Sequence, residues 1–310
     1  MREKLHITML LLLLLGSAVF AQNPGRPAGG EMTLRAFQNS YPEKISGIAF
    51  IDNDWTITVR GETFFWAGGR LLPRAEKDNV DSYGPYMFYR VPARPTPPET
   101  YPPEYIETLR SRGSREERLE RKDNHRGFYA ALYGGLERKD IEAQLERIDF
   151  LGYKVTVHRD ITGALKQAEA EIRRLGGSNA FIASLGSVES YSWRQIAGTQ
   201  RMSYHSLGLA IDILPKNLGG KAIYWLWEQG RNKDWMLVPL EKRWSPPEPV
   251  IEIFERAGFI WGGKWPFFDN MHFEYRPELH ELGRLMTAEA AAMGSGRVLH
   301  HIYPDMINSP

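Results

Sequence analysis

The chain has 310 residues, 42% hydrophobic and 25% charged, an ordinary globular composition with ample material for a core. Formal net charge is +1, supplied by Arg2, Glu3 and Lys4 at the extreme N-terminus. The rest is near neutral with both signs interspersed, which argues against nucleic acid as a partner. With no cysteine there can be no disulfide and no thiolate metal site, so any transition-metal site must be built from histidines and carboxylates.

Residues 1–21 read as an export signal: Arg2 and Lys4 precede the apolar run ITMLLLLLLGSAVF over residues 7–20, and small residues favour a cut after Ala21. Fourteen residues fall short of the ~20 a membrane span needs, so no stable span is expected after processing. The mature protein is expected in the periplasm or outside the cell. No cysteine follows the run, which excludes lipid attachment there. Residues 22–45 are expected to be a polar leader. Residues 46–90 are expected to be β-rich, since ISGIAFIDNDWTITVRGETFFWAGGRLLP alternates apolar and polar residues around Asp-Asn-Asp and Arg-Gly-Glu turns, giving two or three short strands. Residues 91–125 read as a linker. VPARPTPPETYPP should be extended, and the mixed-charge run after it should be a solvated helix or loop.

Residues 126–294 read as a compact domain and 295–310 as a tail. Ile141, Leu145, Ile148 and Leu151 recur at helical spacing, with Gly152 as a stop, and predict a helix. YKVTVH predicts a strand, and Leu165 to Leu175 a second amphipathic helix closed by Gly176-Gly177. Further helices are expected over 222–229, 250–257 and 278–293, and a strand at HFEYR. Helices and short strands without βαβ regularity predict an α+β fold.

Of eight histidines, His6 leaves with the signal, His300 and His301 lie in the tail, and His125, His158 and His280 are expected to be structural or solvated. His205 and His272 differ, each having an acidic residue at a telling distance. On one continuous helix His205 and Asp212 would be ~10 Å apart, too far to share an ion. Gly208 breaks that continuity, so a turn at 205–208 feeding a buried strand can return His205 beside Asp212. A carboxylate on so apolar a strand needs a cation or several donors. In WGGKWPFFDNMHFEYRP, residues 261–277, His272 and Glu274 share a strand face and Asp269 comes from the preceding turn. His205, Asp212 and His272 would form a two-His, one-carboxylate zinc site with an open position for water, and Asp269 could act as general base. Two imidazoles suit zinc better than calcium.

The pattern SxHxxGxAxD, followed some sixty residues later by WGGxW…DxxHFE, resembles the zinc peptidases of bacterial cell walls. These are the VanY-type D-alanyl-D-alanine carboxypeptidases and the L-alanyl-D-glutamate endopeptidases. The resemblance covers roughly residues 180–280 and implies a small central antiparallel sheet with flanking helices, as in the Hedgehog/DD-peptidase fold. It also implies Zn2+ on His205, Asp212 and His272, Asp269 as the catalytic carboxylate, and peptidoglycan peptides as substrate. Asp rather than Glu at 269, after WGG, leans towards the endopeptidase branch. SYSWRQIAGTQRMS resembles the segment that places an arginine near the scissile carbonyl. Arg194 is the first choice and Arg201 the second, with Ser203 orienting substrate. Trp193, Tyr204, Trp261 and Trp265 could wall a groove or fill a core. The rival reading is a non-catalytic, zinc-stabilised wall-binding protein, since Hedgehog domains share this fold without using its zinc for hydrolysis.

Overall fold

The computed structural model describes residues 29–292. The export signal expected over 1–21, the first part of the leader, the tail, and His6, His300 and His301 lie outside the described residues. The fold is α+β, with antiparallel sheets and flanking helices.

The stretch expected to be a polar leader carries helix α1 (Gly30–Ser40). Leu34, Ala36 and Phe37 on one face are fully buried, and the Phe37 ring meets that of Phe128 edge-on with centroids 4.9 Å apart. Polar residues on the other face hide that apolar stripe in the composition. Four strands follow, β1 (Ile45–Ile51), β2 (Asp54–Val59), β3 (Glu62–Phe65) and β4 (Leu72–Pro73), paired in sequence order as an antiparallel meander. The proline-rich segment is extended apart from one tight turn at Pro98–Thr100. The charged run contributes to two helices, α2 (Pro103–Gly113) and α3 (Arg115–Glu120). It is not wholly solvated. Leu109 joins a small apolar cluster with Trp225, Trp235 and Phe267, and Arg118 is buried.

Helix α4 (Gly127–Tyr133) and the single-turn α5 (Arg138–Glu142) lead into strand β5 (Leu145–Phe150), which pairs with β6 (Tyr153–His158). The helix expected over 141–151 is therefore wrong beyond its first turn. Leu145, Ile148 and Leu151 repeat every three residues, which mimics a helix face. However, Leu151 and Gly152 adopt φ of 51° and 89° and make a two-residue hairpin turn, and the β-branched YKVTVH supplies the partner strand. Helix α6 (Arg159–Arg174) matches the expected amphipathic helix, with Ile161, Leu165, Ala168 and Ile172 on its buried face. Helix α7 (Ser178–Ser184) leads into β7 (Leu185–Glu189).

The second sheet holds β7, β8 (Ala210–Pro215), β10 (His272–Tyr275) and β9 (Phe259–Trp261), in that order and all antiparallel. Helices α8 (Trp225–Gln229), α9 (Glu248–Arg256) and α10 (Pro277–Ala292) complete the chain. One apolar core runs from α1 and the meander through α6 and α9 to the second sheet and α10. Among the described residues no helix is long and apolar enough to cross a membrane.

Candidate metal centre and its cleft

Strand register builds the centre. In the β8–β10 pair His272 lies directly opposite Asp212, so both side chains leave the same face of the sheet. His205 arrives from a tight turn over Tyr204–Leu207, capped by Ser203, whose Oγ accepts from the His205 N–H at 3.3 Å. Gly208 closes that turn with φ 68°, and a Cβ there would sit 2.7 Å from the backbone nitrogen of His158, so the position requires glycine. The chain thereby doubles back into β8, as the sequence predicts, and His205 comes to rest beside Asp212.

The donor atoms converge closely. His205 Nε2 lies 3.2 Å from His272 Nδ1 and 3.1 Å from Asp212 Oδ2, and His272 Nδ1 lies 2.9 Å from Asp212 Oδ1. All three residues are buried, and they form a group able to hold a metal ion. A tetrahedral zinc ion with bonds of 2.0–2.1 Å would separate its ligands by about 3.3 Å, close to these spacings.

The outer ring nitrogens decide the protonation. His205 Nδ1 lies 2.6 Å from the Ser190 carbonyl oxygen, and His272 Nε2 lies 3.3 Å from Glu274 Oε2. Both partners only accept, so each outer nitrogen carries a proton, and the inner nitrogen of each ring is left for a cation, either a metal ion or a second proton. With both rings neutral, two bare nitrogens and a carboxylate would face one another. A cation fits that arrangement; three acceptors alone would repel.

Charges nearby point the same way. Burial opposes ionisation of Asp212, but His205 and His272 hold its carboxyl well below the usual carboxylate range. Burial likewise opposes a charge on His272, yet its bonds to Asp212 and Glu274 push the imidazole up to about 10. The position demands positive charge, and a proton takes it where no metal does. Glu274 is kept ionised against burial by His272 and Arg276, whose Nη1 is 3.3 Å away. Sequence reasoning placed Glu274 on the His272 face without giving it a role, although the two-residue spacing on a strand was the signal.

Asp269 lies on the cleft beside this group. Burial, helped by the charges of Asp212 and Glu274, pushes its carboxyl up to about 7 against the opposing pull of His272 and Arg194. Its Oδ1 is buried without a hydrogen-bond partner. The WGG sequence before it has a steric cause. A Cβ on Gly262 would come within 2.6 Å of the Asp269 carbonyl oxygen, and one on Gly263 within 2.2 Å of the Trp261 ring.

The cleft above the group has a volume of about 390 Å³. Arg194 lines it, half-exposed, with Nη2 3.9 Å from Asp212 Oδ2. Ser203 lines it too, and its O–H remains free to donate because the capping bond uses the oxygen as acceptor. Arg201 lines adjoining cavities rather than this cleft. Tyr204 and Trp265 wall the cleft, whereas Trp261 is buried with Nε1 donating to the Asn270 carbonyl, and Trp193 faces Arg126. Sequence reading missed exposed Trp227 and three arginines from α2 and beyond, Arg112, Arg118 and Arg121, all on the cleft wall. The remaining described histidines stand apart from the metal group. His158 Nε2 donates to the Tyr133 carbonyl, His280 Nε2 bonds the Phe259 carbonyl, and His125 Nδ1 accepts from Gly127.

Residues 197–275 match the family model described as D-alanyl-D-alanine carboxypeptidase. The match supports a peptidase of that family. It spans His205, Asp212, Asp269 and His272, and Arg194 lies just before it. A second model, described as a domain of unknown function, matches residues 33–88, which take in most of α1 and the meander. No curated protein and no solved structure matches the chain.

Proposed function

We propose that this chain is a zinc-dependent peptidase that hydrolyses peptide bonds in peptidoglycan stem peptides. It would act as an L-alanyl-D-glutamate endopeptidase or a D-alanyl-D-alanine carboxypeptidase. The observation that carries the reading is the pairing of a buried, convergent His-Asp-His donor set with a buried, unpartnered carboxylate oxygen on one cleft. His205, Asp212 and His272 hold the ion, with Ser190 and Glu274 fixing the two rings. Zinc bound there supplies a Lewis acid that polarises a peptide carbonyl and acidifies water.

The chain's own residues do the rest. Asp269, raised to about 7, sits where a carboxylate can accept a proton from water and return it to the leaving amine. Arg194 keeps its guanidinium at the cleft mouth, within reach of a developing oxyanion. Ser203 offers a hydroxyl to orient the peptide, and Tyr204 and Trp265 exclude water from the floor. Arg201 serves substrate binding from the adjoining cavity.

Export would follow from the signal read over residues 1–21: protein recovered outside the cytoplasm should begin at Gln22. The test of the activity is mass spectrometry of muropeptides incubated with zinc-loaded protein and with chelated protein. Zinc-dependent loss of stem-peptide residues supports the proposal. Unchanged muropeptides with full zinc would transfer the centre to a stabilising role in a wall-binding protein.

A further inference from the structure

Behind the metal cleft lies a larger cavity of about 610 Å³, between the loops that follow the N-terminal meander and the α2–α3 pair. Arg112, Arg121, Lys122 and Arg201 line it, with Glu117 as the carboxylate among them. Arg112 and Arg121 also line the metal cleft, as does Arg118, so the two spaces share a wall.

These arginines outnumber their counter-charges: Glu117 acts on Arg121, and Asp123 and Glu274 act on Arg201. Arg118 is buried and donates only to the carbonyl oxygens of Ser114 and Ala197, at 3.3 and 3.0 Å. Arg121 donates to the Arg112 carbonyl at 3.3 Å. The Nε of Arg201 is buried with no hydrogen-bond partner. None of the four forms an ion pair with a carboxylate among the described residues. Burial, with the charges of Arg201, Arg112 and Arg118, pushes the Arg121 guanidinium below its ordinary range. Like charges gathered on a half-buried wall, with the Arg201 Nε left unbonded, repel one another unless an anion joins them.

We infer that this cavity is an anion subsite that receives a carboxylate of the substrate other than the reacting carbonyl group. The guanidinium fork matches a carboxylate in two parallel hydrogen bonds. The shared wall lets a peptide with its reacting end at the metal centre extend an acidic arm to Arg112 and Arg121. The subsite also gives the N-terminal region a task, since its loops close the cavity on the side away from α2 and α3. The identity of the ligand as substrate rests on the peptidase reading; the anion site itself does not.

The test compares a stem pentapeptide whose D-glutamate carries a free α-carboxylate with the same peptide amidated there. Binding is measured by titration calorimetry and cleavage by mass spectrometry, on full-length zinc-loaded protein. The acid form should bind about tenfold tighter or better, with the difference in KM rather than kcat. The Arg112→Gln/Arg121→Gln double variant should lose that preference while melting no lower than wild type, because it relieves repulsion. Equal binding of both forms by wild type overturns the subsite, whether or not the variant folds. Binding of inorganic phosphate that depends on Arg112 and Arg121, with no preference between the peptides, assigns the cavity to a free anion and overturns the substrate assignment. Preferential binding of the acid form without any cleavage upholds the subsite and sinks the peptidase reading alone.

Discussion

Glu274 accepts from the outer nitrogen of His272 and so turns the inner one towards Asp212, a supporting contact behind the proposed ligand. Glu274→Gln keeps the shape and loses the charge, and zinc affinity should fall by about 10–100-fold in competition with a chromogenic chelator. His205→Ala or His272→Ala leaves two ligands and should abolish stoichiometric zinc; unchanged metal content in both would remove the site. Asp269 gives a pH signature in chelated protein. Its folded pKa of about 7 lies above the ordinary 3.8, so folding favours the protonated form. That contribution is complete below about pH 4 and is lost as pH rises towards 7. Asp269→Asn should therefore gain stability over wild type, by on the order of a few kcal/mol at about pH 8 and far less at about pH 5. Melting temperatures of chelated protein at the two pH values check this, and a gap that does not widen with pH would contradict the buried-acid assignment.

The turn that carries His205 rests on Gly208. Gly208→Ala should destabilise by about 1–3 kcal/mol and weaken zinc, because φ is 68° and the methyl meets His158 nitrogen at 2.7 Å. Gly176→Ala, where a Cβ meets nothing, is the control and should be near neutral in the same denaturant titration. These local devices explain what the sequence made legible. The His205-to-Asp212 spacing with a glycine inside admits one compact solution, and the HFE strand sets ligand and support on one face. The β5–β6 hairpin was hidden because apolar residues every third position imitate a helix, and only the Leu151-Gly152 turn breaks the tie. The unpaired arginines were hidden for a different reason. In sequence, Arg112, Arg118 and Arg121 stand among glutamates, and only the folded chain shows that all three line the metal cleft without a paired carboxylate.

Across the whole molecule, α1 and the meander share one core with the sheet that carries Asp212 and His272, so the N-terminal region should fold with the rest. Phe37→Ala removes a fully buried ring and should lower stability by about 3–5 kcal/mol in a single transition that also releases the metal. Calorimetry that resolves an early transition, with zinc still bound after it, would separate the two regions. Chelation should lower the melting temperature of the entire chain, since the ion binds only the folded state. In the proposed mechanism the fold positions Asp269 as a base beside the metal without making it a ligand. Bound zinc and muropeptide cleavage, measured on one preparation of Asp269→Asn, test it most directly. Stoichiometric zinc with cleavage reduced by about 10²–10⁴ relative to wild type is the expected result. Cleavage at the wild-type rate with zinc retained would contradict it, as would loss of zinc and cleavage together.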